Sequence, residues 1–141
     1  MREIAPTVEV AAGLIIRDGR ILIAQRHIHA HLGGLWEFPG GKRKLDEGFE
    51  ACLAREVKEE LGLTIAVHEQ VACAEHRDDQ WRVRLQFYRC TILAGEPRAL
   101  GCEAWRWVTP AEILAYPFPP ADEPLVRRIA SGEIAPQHPG A

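Results

Sequence analysis

Apolar and polar positions change period several times along the chain, and each change predicts an element. Val8 to Ile16 is an almost unbroken apolar run and Arg20 to Gln25 is a second. Arg17-Asp18-Gly19 between them is a turn signal, so the two runs read as strands joined by a hairpin or another tight connection. From Gly48 to Leu61 the period lengthens. Phe49, Leu53, Val57 and Leu61 recur every fourth residue and predict a helix with one apolar stripe for a sheet to cover. Ile65 to Ala74 again reads as a strand. Trp81 to Leu93 alternates, with Val83, Leu85 and Phe87 on one side and Arg84, Gln86 and Tyr88 on the other. Glu103 to Val108 is a shorter strand. Thr109-Pro110-Ala111-Glu112 supplies the cap, first-turn proline and third-position glutamate that open a short helix. A last helix is expected from Asp122 to Ala130. Strands with interspersed helices and no repeats imply an α/β fold with a mixed sheet between helices. One domain over residues 1–131 is expected, with a flexible tail over 132–141, where Gly, Pro and Ala abound.

Composition narrows the class. With 141 residues, 47% hydrophobic content and a formal charge of −3, the chain suits a single domain with a proper core and has no basic field for a nucleic-acid polymer. Cys52, Cys73, Cys90 and Cys102 show neither CxxC nor zinc-type spacing and read as reduced thiols. The longest greasy stretch, Ala11 to Ile16, is strand-sized, and no signal peptide precedes it. The expectation is a cytoplasmic protein with no membrane partner.

The candidate chemistry lies between Gly41 and Leu63, GKRKLDEGFEACLAREVKEELGL. On the predicted helix Glu56, Glu59 and Glu60 share a face beside the apolar stripe, and each like-charge pair at that spacing costs about 0.2–0.5 kcal/mol. A divalent cation turns this repulsion into affinity. Mg²⁺ suits such a site, because it takes hard oxygen ligands and commonly bridges carboxylates to substrate phosphates. Arg55 lies four residues before Glu59, within its reach, and Gly62 marks the helix end. A solvated charged face is the plain alternative for EVKEE taken alone. Gly41, Glu47, Arg55 and Gly62 standing in register with it outweigh that alternative.

These positions reproduce G-x5-E-x7-R-E-U-x-E-E-x-G-U, U being bulky aliphatic, and the segment resembles the Nudix box. Gly34-Leu35-Trp36-Glu37-Phe38-Pro39-Gly40-Gly41-Lys42 resembles the loop leading into the box in MutT-type members, and Phe118-Pro119-Pro120-Ala121-Asp122-Glu123-Pro124 resembles their base-reading segment. The resemblance spans about Val8 to Ile129. It implies a Nudix fold and hydrolysis of a small-molecule nucleoside triphosphate, 8-oxo-dGTP above all, to the monophosphate and pyrophosphate by attack at the β-phosphorus. It implies Mg²⁺, with Mn²⁺ the alternative, held by Glu56, Glu59 and Glu60 and a backbone carbonyl at Gly40 or Gly41. Lys42 would meet the phosphates, Glu47 would hold Arg55 or orient the ligands from behind, and Arg26 aligns with a base-contacting Arg, with an exposed strand-end Arg as the alternative. The general base is left open, as is the choice between monomer and homodimer.

Three departures qualify the transfer. Lys42-Arg43-Lys44-Leu45-Asp46-Glu47 stands where K-x-E-x-G-E is usual, making the loop more basic. Glu103 sits about two residues from the place of a further acidic ligand, so it is a metal or base candidate, with an exposed strand-entry Glu as the alternative. Asp122 stands where the best-known MutT enzyme has Asn. An ionised carboxylate only accepts hydrogen bonds, and it suits the N–H groups of an oxidised guanine or the amino group of a cytosine. Asp122 is equally a candidate cap for the last helix. CTP or a modified dCTP is therefore the alternative substrate, and a non-catalytic ligand-binding domain the alternative of another class. His27, His29 and His31 fall in a loop without a fixed partner. Trp36, Trp81, Trp105 and Trp107 offer stacking faces or simple packing.

Overall fold

The computed structural model describes residues 6–77 and 81–134. Strands β1 (Thr7–Arg17) and β2 (Arg20–Gln25) form the expected hairpin. Arg17 lies opposite Arg20, and Asp18 and Gly19 take φ of 53° and 73°, as a two-residue turn matched to strand twist requires. Two short strands that periodicity does not reveal follow, β3 (Trp36–Glu37) on β2 and β4 (Gly40–Lys42) on β1. Helix α1 (Phe49–Leu61) leads into β5 (Thr64–Arg77), β6 (Arg82–Ala94) and β7 (Ala104–Val108). A last helix, α2, runs from Glu123 to Ala130. β1 pairs parallel with β6 but antiparallel with β2 and β4, so the sheet is mixed.

The two-residue side-chain period of β1 divides the core. Ala11 and Ile15 pack with Cys52, Leu53, Val57 and Leu61 of α1, whereas Ala12 and Leu14 join a second cluster with Leu125, Val126 and Ile129 of α2. A strand covered on both faces reads as a continuous apolar run, which explains the unbroken stretch from Val10 to Ile16.

Other expectations are modified. The capping box forms, with Thr109 N–H donating to Glu112 Oε1 (2.8 Å) and Glu112 N–H to Thr109 Oγ1 (3.2 Å). It opens only one 3-10 turn, Glu112–Ala115, because Tyr116, the residue before Pro117, is already extended. α2 is preceded by a 3-10 turn, Pro120–Asp122, and Asp122 makes no side-chain capping bond. Beyond α2, Ile134 packs into the second cluster at 6% exposure, so apolar packing continues past residue 131. Residues 135–141, most of the expected tail, lie outside the described residues. All four cysteines are free thiols. No helix among the described residues is long and apolar enough to cross a membrane.

Candidate active site

The end of α1 is tied down before the site is built. Gly62 takes φ 73° and donates its N–H to Lys58 O. The N–H groups of Leu100 and Gly101 donate to the Glu60 carbonyl at 3.0 Å, and that of Arg98 to Leu61 O at 2.9 Å. Orphan carbonyls at a helix end need such partners, and here they hold the turn that carries Glu60.

Arg55 organises the near side of the box. Its Nε and Nη2 donate to the two oxygens of Glu47 at 3.1 and 2.6 Å, and its Nη1 donates to Glu56 Oε1 at 2.9 Å and Glu59 at 3.4 Å. Nη2 also reaches Lys42 O at 3.3 Å. The Arg55 bonds, with the Lys44 N–H next in weight, pull the Glu47 carboxyl down to about 2. A two-pronged pair of this kind sets orientation as well as charge.

Beside this network lies a cavity of about 380 Å³. Glu56, Glu60, Gly40, Gly41 and Lys42 line it together with Arg26, Glu37 and Asp122, and Val10, Ala12, Phe38 and Leu85 supply its apolar walls. Gly41 leaves room for the Glu56 carboxylate, since a Cβ there would fall 2.3 Å from Glu56 Cδ and displace it. Arg26 Nη1 donates to Glu37 Oε2 at 2.9 Å, and Arg26 Nε to His31 O at 2.7 Å. Burial first, then the charges of Glu37 and Glu56, push the Glu60 carboxyl up to about 8. Asp122, 6% exposed, is pushed up to about 7, again by burial and then by Glu37. Glu37 is itself raised by burial, against the lowering effect of Arg26. Four carboxyl groups thus share a cavity with two cations, Arg26 and Lys42.

The structure brings together most of the residues singled out in the sequence. Glu47, Arg55 and Glu56 form one hydrogen-bonded group, and Glu56 lines the cavity with Glu60, Arg26, Gly40, Gly41, Lys42 and Asp122. Three placements differ from the simple reading. Glu59 is not among the cavity-lining residues, and its side chain is 57% exposed and turned to Arg55. Glu103 is also outside the cavity wall, 47% exposed and 3.8 Å from His27 Nδ1. The backbone N–H of Gly40 faces the Glu60 carboxyl, so this glycine meets the site through a donor as well. The aromatic wall of the cavity is Phe38, while Trp36 is buried against Tyr116 at 5.0 Å and Trp107 lies under Arg17 at 4.6 Å, both as packing. His29 and His31 are exposed. Sequence reasoning missed Glu37 and Phe38 as site residues, although both stand in the loop that leads into the box.

Among the described residues no three His, Cys, Asp or Glu side chains converge as a ready-made metal cluster. Glu56 and Glu60 with neighbouring backbone oxygens still fit a hard cation, which is suited to a few carboxylates completed by water and phosphate. The donors are all oxygen, and the cavity wall contains neither His nor Cys.

The raised carboxyls carry a stability consequence. Glu60 and Asp122 hold protons in the folded state at pH values where the unfolded chain, at 4.5 and 3.8, has lost them. Their contribution is full below about pH 4, declines as pH rises and is gone above about pH 8. Metal-free protein should therefore melt at a lower temperature at pH 8 than at pH 5.5, and Glu60→Gln should flatten that slope. Calorimetry in a chelator checks it, and a melting temperature that climbs between those values would contradict the placement of both groups.

A family model described as NUDIX domain matches residues 11–128. The CTP pyrophosphohydrolase of Escherichia coli is 40% identical over 119 residues, covering 84% of this chain and 88% of that one. The 8-oxo-dGTP diphosphatase of the same organism is 30% identical over 122 residues, covering 86% and 95%. The solution structure of the E. coli ORF135 protein superposes with a TM-score of 0.80 at 36% identity, covering 97% of this chain and 96% of that one. With the box helix, the mixed sheet and the carboxylate cavity in place, the chain belongs to the NUDIX domain family. Within that family it is a MutT-type Nudix hydrolase, an enzyme of the nucleotide diphosphatase class.

Proposed function

We propose that the protein is a Mg²⁺-dependent pyrophosphohydrolase that cleaves a damaged deoxynucleoside triphosphate, with 8-oxo-dGTP the leading substrate, to the monophosphate and pyrophosphate. The observation that carries the reading is the single cavity shared by Glu56, Glu60 and Lys42 with Glu37, Asp122 and the apolar residues Phe38 and Leu85. One set suits a polyphosphate and its cation, the other a flat base with polar edges. Glu56 and Glu60 would hold the Mg²⁺, which supplies charge neutralisation and an activated water when bound. Lys42 meets a phosphate oxygen as a point charge. Glu47 fixes Arg55, and Arg55 fixes Glu56, so the ligand carboxylate is oriented before substrate arrives. Glu59 stands one step out, as a partner of Arg55 with a free face toward solvent.

At the base, oxidation of guanine places an N–H donor where the normal base presents the N7 acceptor. Asp122 in its ionised form accepts from that donor and repels the unmodified acceptor. Arg26 holds Glu37 in place, and Val10, Phe38 and Leu85 offer apolar contact to the base. A specific observation favours a second reading, CTP or a modified dCTP. Asp122 also suits the cytosine amino group, and a relative 40% identical to this chain is named a CTP pyrophosphohydrolase.

Pyrophosphate release from a panel of triphosphates, with and without Mg²⁺, tests the proposal. The expected result is metal-dependent cleavage with kcat/KM highest for 8-oxo-dGTP. Preference for CTP or its analogues would replace the first reading by the second. Failure on every nucleoside triphosphate would overturn both.

A further inference from the structure

Arg43 stands at a variable position of the box-entry pattern, and its side chain is folded under the loop instead of out into water. Its backbone N–H donates to Glu9 O at 2.8 Å, continuing the pairing of β1 with β4. One terminal nitrogen donates to the Glu47 carbonyl at 2.8 Å, and the other donates to the Glu9 carboxylate. The guanidinium also lies over the Phe49 ring, 5.2 Å from its centroid. Glu47 is thereby gripped twice, at its carbonyl by Arg43 and at its carboxylate by Arg55. Lys44, Leu45 and Asp46 between them are exposed, Leu45 at 99%, so this stretch has no core of its own. Apart from the turn's bonds within residues 44–47, the Arg43 fork ties Glu47 to the sheet.

We propose that Arg43 is a positioning residue of the glutamate centre, acting through Glu47 to hold Arg55 in the orientation that presents Glu56 to the cation. The inference rests on the reading that Glu56 and Glu60 bind the metal. Without the fork the loop relaxes, Glu47 loses its orientation, and Arg55 no longer holds Glu56 in place for the cation. Charge alone predicts the opposite sign. Deleting a cation near an anionic site should tighten cation binding, so weaker binding identifies positioning. Lysine keeps the charge but is a single flexible point donor, unable to reproduce a rigid fork that serves Glu9 and Glu47 together.

The test measures Mn²⁺ binding by electron paramagnetic resonance, alongside kcat and KM with Mg²⁺ and the preferred triphosphate, in the whole protein. R43M should bind Mn²⁺ about tenfold more weakly and lose about tenfold in kcat with KM little changed, the scale seen when a residue orienting a metal ligand is removed. R43K should be no better, and R43M should add nothing in an E47A background. Should R43M fail to fold, R43K with and without E47A provides the same comparison. Unchanged or tighter Mn²⁺ binding, rescue by Lys, or additive losses would each overturn the inference. Wild-type protein that binds Mn²⁺ but cleaves no triphosphate would overturn the functional reading alone, with the Mn²⁺ comparison still deciding Arg43. Wild-type protein that binds no Mn²⁺ would overturn both.

Discussion

Glu60→Gln should yield a folded protein that releases pyrophosphate on the order of a thousandfold more slowly, the loss expected when several kcal/mol of metal-derived stabilisation disappears. The amide is nearly the same size, so the packing of Leu61 and the bonds from Leu100 and Gly101 to the Glu60 carbonyl are untouched. What changes is one anionic oxygen donor in a cavity where the wild-type carboxyl is raised to about 8 by burial and by Glu37 and Glu56. Ionising that carboxyl is unfavourable without a cation, so metal-free Glu60→Gln should melt at or above the wild-type temperature at pH 8. Mg²⁺ should then raise the melting temperature of the wild type more than that of the variant. Initial rates and melting curves decide the matter together. Near-normal turnover would remove Glu60 from the metal site, whereas lost turnover with a lowered melting temperature would make its role structural.

Asp122→Ala should cost about 10–100-fold in kcat/KM for the preferred base, chiefly through KM, and much less for other triphosphates. That range is what a hydrogen bond to a charged group is worth, roughly 1.5–3 kcal/mol. The expectation of selectivity follows from geometry. Asp122 makes no capping bond to α2, so its removal should not loosen the helix, and the residue lines the cavity with Arg26 and Glu37. Kinetics on paired substrates provide the check. A uniform loss across all bases would mean that Asp122 acts on the phosphate end through Glu37, and the base assignment would fail.

Much of this site is legible in the sequence because it lies on one helix. Fixed rise and turn place Glu56 and Glu60 on adjacent turns whatever else the chain does, and they set Arg55 within reach of Glu59. Spacing is silent on which way an equivalent carboxylate is drawn. Glu59 has the same chemistry as its neighbours, yet Arg55 and solvent hold it outside the cavity wall. Glu37 and Phe38 are hidden for a different reason. They sit at the end of β3 and just beyond it, between strands of only two and three residues, too short for any period to register. Asp122 illustrates competition between levels. Its local signal is that of a helix cap, and it does stand at the cap position of α2, but the chain delivers it buried beside a second carboxylate, with no capping bond from its side chain.

Local, covalently spaced information therefore determined the hairpin turn and the box helix, because each depends on residues a few positions apart, and the succession of such elements along the chain determined the α/β class. Only the tertiary structure decided which carboxyls share a cavity. β1 carries the wall at Val10 and Ala12, β4 brings Gly41 against Glu56, and the segment before α2 brings Asp122 beside Glu37 from more than eighty residues away. The raised protonation of Glu60 and Asp122 arises from that assembly, since desolvation and mutual repulsion exist only once distant segments have excluded water from a common space.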